Sequence, residues 1–217
     1  MRVYLSILVL ALGLPLRVLA EPPTPTPTAD AALKTLLAGN HAFVSAGASC
    51  PRQTPARRGE VATSQHPLAV VVGCADSRVP PEAIFGQGIG DLFVIRIAGN
   101  VIDDAVLGSI EYAVEHLGAP LVVVLGHERC GAVEAALAPE APGAHIDALV
   151  SRIRRAIARA PKPDGDPVEA AVRANVAASV KEVLSSRPVI APLVQEGKVK
   201  VIGARYDLDT GAVELLH

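Results

Sequence analysis

Two short stretches of this chain carry residue types that do chemistry together. The first is VVVGCADSRVP, Val70–Pro80, where Cys74, Asp76 and Arg78 fall within five residues directly after an apolar run. The second is VLGHERCG, Val124–Gly131, where His127 and Cys130 form an H-x-x-C pair after another such run. Two thiolates and an imidazole are good zinc ligands. At a strand-to-helix turn the H-x-x-C spacing can aim both side chains at one point, and Cys74, 53 residues before His127, can supply a third ligand. A structural zinc site usually closes with four Cys or His, whereas three protein ligands with an open position mark catalytic zinc. The plainer alternative is a pair of buried structural cysteines and a histidine that merely occupies a turn.

Asp76 and Arg78 separate these alternatives. A carboxylate beside a metal-activated water can accept its proton and orient its lone pair toward an electrophile. An arginine two residues on keeps that carboxylate ionised and grips it with two prongs. A loop-stabilising ion pair is the ordinary explanation of such residues. Moving two charges into a cleft at a strand edge, however, costs desolvation energy, which favours a functional role for a pair so placed.

These residues need a scaffold, and the surrounding sequence supplies its pattern. Short apolar, β-branched runs occur at 68–73, 92–97, 120–126 and 198–208. Helical segments fall between them: one from Asp103 or Asp104 to a stop at Gly118, then others near 130–138, 143–160 and 166–185. Continuous apolar strands alternating with helices predict an α/β fold: a central, mainly parallel four-stranded β-sheet with helices on both faces. A last strand near AVELL is expected to be antiparallel or at the edge. Leu33, Leu36, Leu37 and Phe43 recur at helical spacing and predict an N-terminal arm helix, with Asp30 able to cap its start. Residues 50–66 are polar and rich in Pro and Arg, and read as a loop. In sheets of this kind ligands gather at the carboxyl ends of the strands. Cys74 follows the first strand and His127 the third, so both motifs lie on that edge.

Composition sets further bounds. The 217 residues suit one domain with a real core. Half are hydrophobic, but only 3% are aromatic and none is Trp, so the core is built from Ala, Val, Leu and Ile. The formal net charge of −2 shows no basic bias, so no nucleic acid partner is expected. Residues 1–20 read as a signal peptide: a positive start at Arg2, a 13-residue apolar run interrupted by Pro15, then Val18 and Ala20 before Glu21. The run is shorter than the ~20 residues of a spanning helix, although an uncleaved membrane anchor is the plainer alternative; no membrane association is expected after cleavage. Cleavage would remove Arg2 and Arg17 and no acid, taking the net charge from −2 to −4. Residues 21–29 form a Pro/Thr-rich linker and 30–217 the folded domain. Export, to the periplasm or beyond, implies an oxidising compartment. The cysteine count is three, Cys50, Cys74 and Cys130, and an odd number argues against a pure disulfide framework.

Taken together, CADSRVPPEAIF, GDLFVIRIAGN, SIEYAVEHLG and VLGHERCGA resemble the β-class carbonic anhydrases. The resemblance runs from about Asp30 to the end. It implies that Cys74, His127 and Cys130 bind Zn2+ and that Asp76 and Arg78 form the catalytic dyad. Asp76 would take the fourth metal position only in an inactive state. The resemblance also implies that Gln65, nine residues before Cys74, reaches substrate across a dimer interface. Phe93 and Tyr112 would line the apolar end of the pocket, and Gly131 follows the last ligand as the family pattern expects. Core packing is the plainer role for both aromatics. Gln65 and the absence of Trp lean toward the plant-like subtype, whose members lack a tryptophan-dependent bicarbonate control site.

The implied reaction is reversible hydration of carbon dioxide to bicarbonate and a proton, in a homodimer or dimer of dimers. Two thiolates place more negative charge on the metal than three histidines would, so activity favoured toward alkaline pH is expected. Hydrolysis of carbonyl sulfide or carbon disulfide on the same scaffold is one alternative, and a non-enzymatic zinc-binding protein is another. Of the remaining residues, Cys50 lies outside the motifs and His66 reads as a surface-loop histidine. GQGIG at 86–90 does not follow a strand and reads as a turn. Arg152, Arg154, Arg155 and Arg159 read as the solvated face of a helix.

Overall fold

The computed structural model describes residues 26–46, 51–140, 142–159 and 165–216. The segment 1–20 expected to be a signal peptide, most of the expected linker, Cys50 and His217 lie outside the described residues. In chain order the elements are α1 (Ala29–Ala46), α2 (Pro55–Glu60), β1 (Ala69–Gly73), α3 (Pro81–Ile84), β2 (Leu92–Arg96), α4 (Asp104–Glu111), β3 (Leu121–His127), α5 (Gly131–Leu137), α6 (Ile146–Ile157), α7 (Pro167–Ser185), α8 (Ile190–Gln195), β4 (Lys200–Tyr206) and β5 (Val213–Leu216). A tight turn, Ala98–Asn100, follows β2, and α4 continues as one wider, π-helical turn over Tyr112–His116.

The sheet runs β2-β1-β3-β4-β5. The first four strands are parallel and β5 closes the sheet antiparallel, as the four runs and the AVELL segment predict. β1 and β3 are buried at every position, which explains why their sequences are continuous apolar runs rather than alternating ones. Successive side chains still point to opposite faces. Val71, Val123 and Leu125 pack with Leu36 of α1 and with Ile84 and Phe85 at the end of α3. Val70, Val72 and Val122 pack with Ile110 of α4 and Val183 of α7 on the other face. A third cluster holds Cys74 and Cys130 with Val133, Val150, Ile153 and Val172 from α5, α6 and α7.

The close seating of α7 on the sheet depends on Gly126. A Cβ there would stand 2.5 Å from Val176 Cγ2, inside any allowed contact, so only glycine lets the helix approach at this level of β3. The N-terminal arm helix packs on its own subunit through Ala32, Leu36 and Asn40. Asn40 Nδ2 donates to the Ile84 and Gly211 carbonyls, and its Oδ1 accepts from Val213 N, tying the helix to the end of α3 and to the turn before β5.

Three local expectations are corrected. The segment read as a loop contains α2, which begins at Pro55 after Thr54, whose Oγ1 accepts from Arg57 N at 3.2 Å. Thr28, not Asp30, caps α1, accepting from Ala31 N; Asp30 instead pairs with Lys200 Nζ at 2.9 Å. Two of the α6 arginines are not simply solvated. Arg154 donates to the Ala136 carbonyl in the last turn of α5 and to the Ala138 and Glu140 carbonyls beyond it, and Arg152 donates to Ile102 O. Long side chains can turn back onto orphan carbonyls at a helix end, which a helical-wheel pattern does not show. Among the described residues no helix is long and apolar enough to cross a membrane.

Candidate functional site

The parallel sheet brings the two motifs together at its carboxyl edge. β1 and β3 are direct neighbours, with Gly73 opposite Leu125, so the residues leaving the two strands meet. Cys74 follows β1, His127 ends β3, and Cys130 immediately precedes α5. Between the last two, Arg129 adopts a left-handed backbone, φ 46°, within the turn that joins the strand to the helix. One ligand atom each from Cys74, His127 and Cys130 lies within 4.8 Å of the others, and all three residues are buried.

The cluster fits a metal ion on three counts. The Cys74 and Cys130 Sγ atoms are 4.0 Å apart and not bonded to each other. Two zinc–sulfur bonds of about 2.3 Å at a tetrahedral angle span about 3.8 Å, so this separation suits a shared ion. His127 Nδ1 lies 2.7 Å from Glu128 O, which commits its proton there and leaves Nε2 as the acceptor. His127 is fully buried, yet its Nε2 has no hydrogen-bond partner. A buried, unpaired imidazole nitrogen costs free energy unless something else fills the position. The third count is the donor set, two sulfurs and one imidazole, which matches zinc. The hydrogen bond with Cys130 lowers the Cys74 thiol against the effect of burial, with help from the Gly99 N–H, while Cys74 and burial push Cys130 well above its ordinary value.

Asp76 and Arg78 stand beside this cluster as a pair. Arg78 Nε donates to Asp76 Oδ1 at 2.9 Å and Nη2 to Oδ2 at 2.7 Å, and the Arg78 backbone N–H also donates to Oδ1 at 2.9 Å. This two-pronged grip holds the Asp76 carboxyl down at about 2, against a smaller effect of burial. Asp76 Oδ2 lies 3.8 Å from His127 Nε2, so the carboxylate faces the point on which the three ligands converge. Arg96, at the end of β2, donates to the backbone carbonyls of Cys74 and Asp76 and fixes the loop that carries both.

The turn of His127 and Cys130 is anchored from behind. Glu128 N donates to Tyr206 O, and Glu128 Oε1 pairs with Arg205 Nη2 at 2.7 Å. Arg129 grips Asp209 through two bonds of 2.9 and 2.7 Å. None of these partners is visible as a motif, because β4 and the segment after it lie about eighty residues from the turn they hold.

The other expected site residues occupy separate places. Gln65 is exposed on the loop after α2, beside a depression of about 320 Å³ formed with Val61–Ser64 and Gly90. Phe93 is half-buried on β2 and packs with Val70, Val72 and Ile110, not with the cysteine cluster. Its ring lies 6.3 Å from that of Tyr112, which is half exposed. Gly131 opens α5 directly after Cys130, with nothing within 4 Å of where a Cβ would stand. Within one chain the structure brings Cys74, Asp76, Arg78, His127 and Cys130 together. Neither Gln65 nor the Phe93–Tyr112 pair contributes a hydrogen bond to them.

Comparison with known proteins agrees with this geometry. A family model described as carbonic anhydrase matches residues 69–213. Carbonic anhydrase 2 of Mycobacterium tuberculosis is 42% identical over 189 residues, covering 85% of this chain and 91% of that protein. The carbonic anhydrase of Mycolicibacterium smegmatis is also 42% identical, covering 85% and 92%. Among solved structures, a Coccomyxa β-carbonic anhydrase in complex with acetazolamide superposes with a TM-score of 0.67 at 32% identity, covering 73% of this chain and 75% of that one. A β-carbonic anhydrase of Sordaria macrospora, described as tetrameric, gives 0.69 at 27% identity over 85% and 93%. The chain belongs to the β-class carbonic anhydrase family.

Proposed function

We propose that this chain is a zinc-dependent enzyme that reversibly hydrates carbon dioxide to bicarbonate and a proton. The observation that carries the proposal is the convergence of the Asp76–Arg78 pair on the Cys74–His127–Cys130 cluster, with Asp76 Oδ2 3.8 Å from the unpartnered His127 Nε2. A purely structural metal site has no use for an oriented, permanently ionised carboxylate at that point. Cys74, His127 and Cys130 would hold the zinc. When bound, zinc supplies Lewis acidity that turns water into a nucleophile near neutral pH, chemistry for which carbonic anhydrase is the standard example.

The chain's own residues do the rest. Asp76 is an acceptor at all physiological pH values, so it takes a hydrogen bond from the attacking water and aims the oxygen lone pair at the carbon of carbon dioxide. Arg78 holds Asp76 through its two bonds, so that the carboxylate faces the metal position without occupying it. Apart from this contact Arg78 also donates to Arg129 O at 3.3 Å, so the dyad is braced against the turn that carries Cys130. The water proton is released to solvent as bicarbonate leaves.

The proposal extends to assembly and location. Gln65 and the Phe93–Tyr112 pair lie apart from the cluster in one chain, which supports a site completed by a second copy. The tetrameric Sordaria macrospora relative supports a homodimer or dimer of dimers here too. The apolar segment ahead of Ala20 supports export with cleavage before Glu21. Stopped-flow hydration of carbon dioxide by the chain from Glu21, beside Asp76→Ala, tests the activity. Fast hydration that collapses in Asp76→Ala is expected. A zinc-loaded wild-type chain without hydration activity would overturn the proposal. Sedimentation of the same sample as a monomer would overturn the assembly.

A further inference from the structure

Cys74 Sγ accepts a hydrogen bond from Gly99 N–H at 3.2 Å. Gly99 lies in the tight turn Ala98–Asn100, where Gly99 and Asn100 both have left-handed backbones, φ 69° and 43°. Gly99 takes this conformation freely, but Asn100 beside it is held there by its surroundings. Helix α7 does the holding. Asn175, 3% exposed on its buried face, donates Nδ2 to the Gly99 carbonyl at 2.7 Å. One helical turn on, Ser179 Oγ donates to the Asn100 carbonyl at 3.3 Å. The buried face of α7 is otherwise Ala171, Val172, Val176 and Val183, so these two polar side chains are exceptions that need partners, and the turn supplies them. On its other side Gly99 is walled in. A Cβ there would stand 2.7 Å from Ile153 Cδ1 and 3.1 Å from Ala132 Cβ. Gly99 is thus held at its carbonyl by α7 and at its N–H by the Cys74 sulfur.

We propose that Asn175 is a positioning residue for Cys74. By fixing the Gly99 carbonyl it aims the Gly99 N–H at the sulfur and holds that sulfur in its metal-binding orientation. The inference rests on Cys74 being a zinc ligand. Hydrogen bonds that orient a ligand atom from outside typically change metal affinity by about 10–100-fold. Asn175 lies 76 residues from the glycine it holds, so the strut exists only in the folded chain.

The test measures zinc release from the full mature chain to a chromophoric chelator at neutral pH, together with the thiolate-to-metal absorption of the cobalt(II)-loaded protein. Four proteins are compared: wild type, Asn175→Ala, Val183→Ala and Cys74→Ser. Val183 is buried on the same helix but packs in the cluster with Val70 and Ile110, away from the turn, so it reports loss of packing alone. Expected are one zinc per wild-type chain and a loss of zinc in Cys74→Ser, which establish the site independently of Asn175. Asn175→Ala should then release zinc about tenfold faster and shift the cobalt–thiolate band, while Val183→Ala keeps the wild-type band and release rate. Release within twofold of wild type with an unchanged band in Asn175→Ala would overturn the inference, as would equal acceleration by Val183→Ala. If Asn175→Ala does not fold, Asn175→Ser takes its place, and an unchanged release rate and cobalt band there overturn the inference. Wild-type protein that holds no zinc would overturn the site itself and this inference with it.

Discussion

Replacing Arg78 with alanine isolates what the dyad contributes. The change removes the two side-chain bonds of 2.9 and 2.7 Å that hold Asp76 and leaves the three proposed metal ligands intact. Arg78 is half exposed, so its pairing with Asp76 adds little to stability and acts through geometry instead. A displacement of about 1 Å at a reacting group can cost about a hundredfold in rate. Freed, the carboxylate can turn onto the metal position that it already faces at 3.8 Å from His127 Nε2. The loss is not one of ionisation. Arg78 holds Asp76 at about 2, and without it the pKa rises toward the ordinary 3.8, still far below neutral. Stopped-flow carbon dioxide hydration should therefore show kcat/KM down roughly a hundredfold, by the same factor at every pH from neutral upward, with zinc content unchanged. Arg78→Lys should recover only part, because an ammonium cannot grip with two prongs. Activity of Arg78→Ala within threefold of wild type at full zinc loading would refute the reasoning.

Other consequences concern the scaffold. Gly126→Ala places a Cβ 2.5 Å from Val176 Cγ2 and should cost about 1–3 kcal/mol by overpacking, read as a lower thermal midpoint. Adding Val176→Ala should return part of that midpoint, and a wild-type midpoint in the single variant would contradict the tight seating of α7. Asn40→Ala strands the Ile84 and Gly211 carbonyls and the Val213 N–H, and should cost about 3 kcal/mol at roughly 1 kcal/mol or more per stranded group, measured by urea denaturation. A loss below 1 kcal/mol would show that α1 is not tied down as described. Asp76, Asp209 and Glu214 titrate below their ordinary values because Arg78, Arg129 and Arg173 bond them. Their contribution to stability is complete above ordinary values of 3.8 and 4.5 and is lost as pH falls through the lower folded values, about 2 for Asp76. The urea midpoint should therefore fall as pH drops from about 4.5 toward 2. A midpoint flat across that window would contradict the pairing.

The parts of this protein that were legible in its sequence are those fixed by short-range pattern. LAVVVG and PLVVVLG are continuous apolar runs because β1 and β3 are buried on both faces, so their identity as central parallel strands could be read directly. The edge placement of Cys74 and His127 follows from that. Helix α2 escaped notice because PARRGE has no apolar period; its only signal was the Thr54-Pro55 start. The π-helical turn at Tyr112–His116 leaves no mark in the spacing either. The contacts that hold the site were hidden for a different reason. Arg96 on the Cys74 and Asp76 carbonyls, Arg205 on Glu128 and Asn175 on Gly99 join positions far apart in the chain. Each of these side chains would satisfy its sequence pattern equally well as a solvated arginine or a helix-surface asparagine. Only the packed topology selects the partner.

The most direct test of the whole account is a zinc titration of the metal-free mature chain, with carbon dioxide hydration followed at each addition. The account predicts a rate near background without metal, rising linearly and saturating at one zinc per chain, and no rise at all in Cys74→Ser. A hydration rate independent of added zinc, or full activity in Cys74→Ser, would contradict the assignment of Cys74, His127 and Cys130 as the centre of this enzyme.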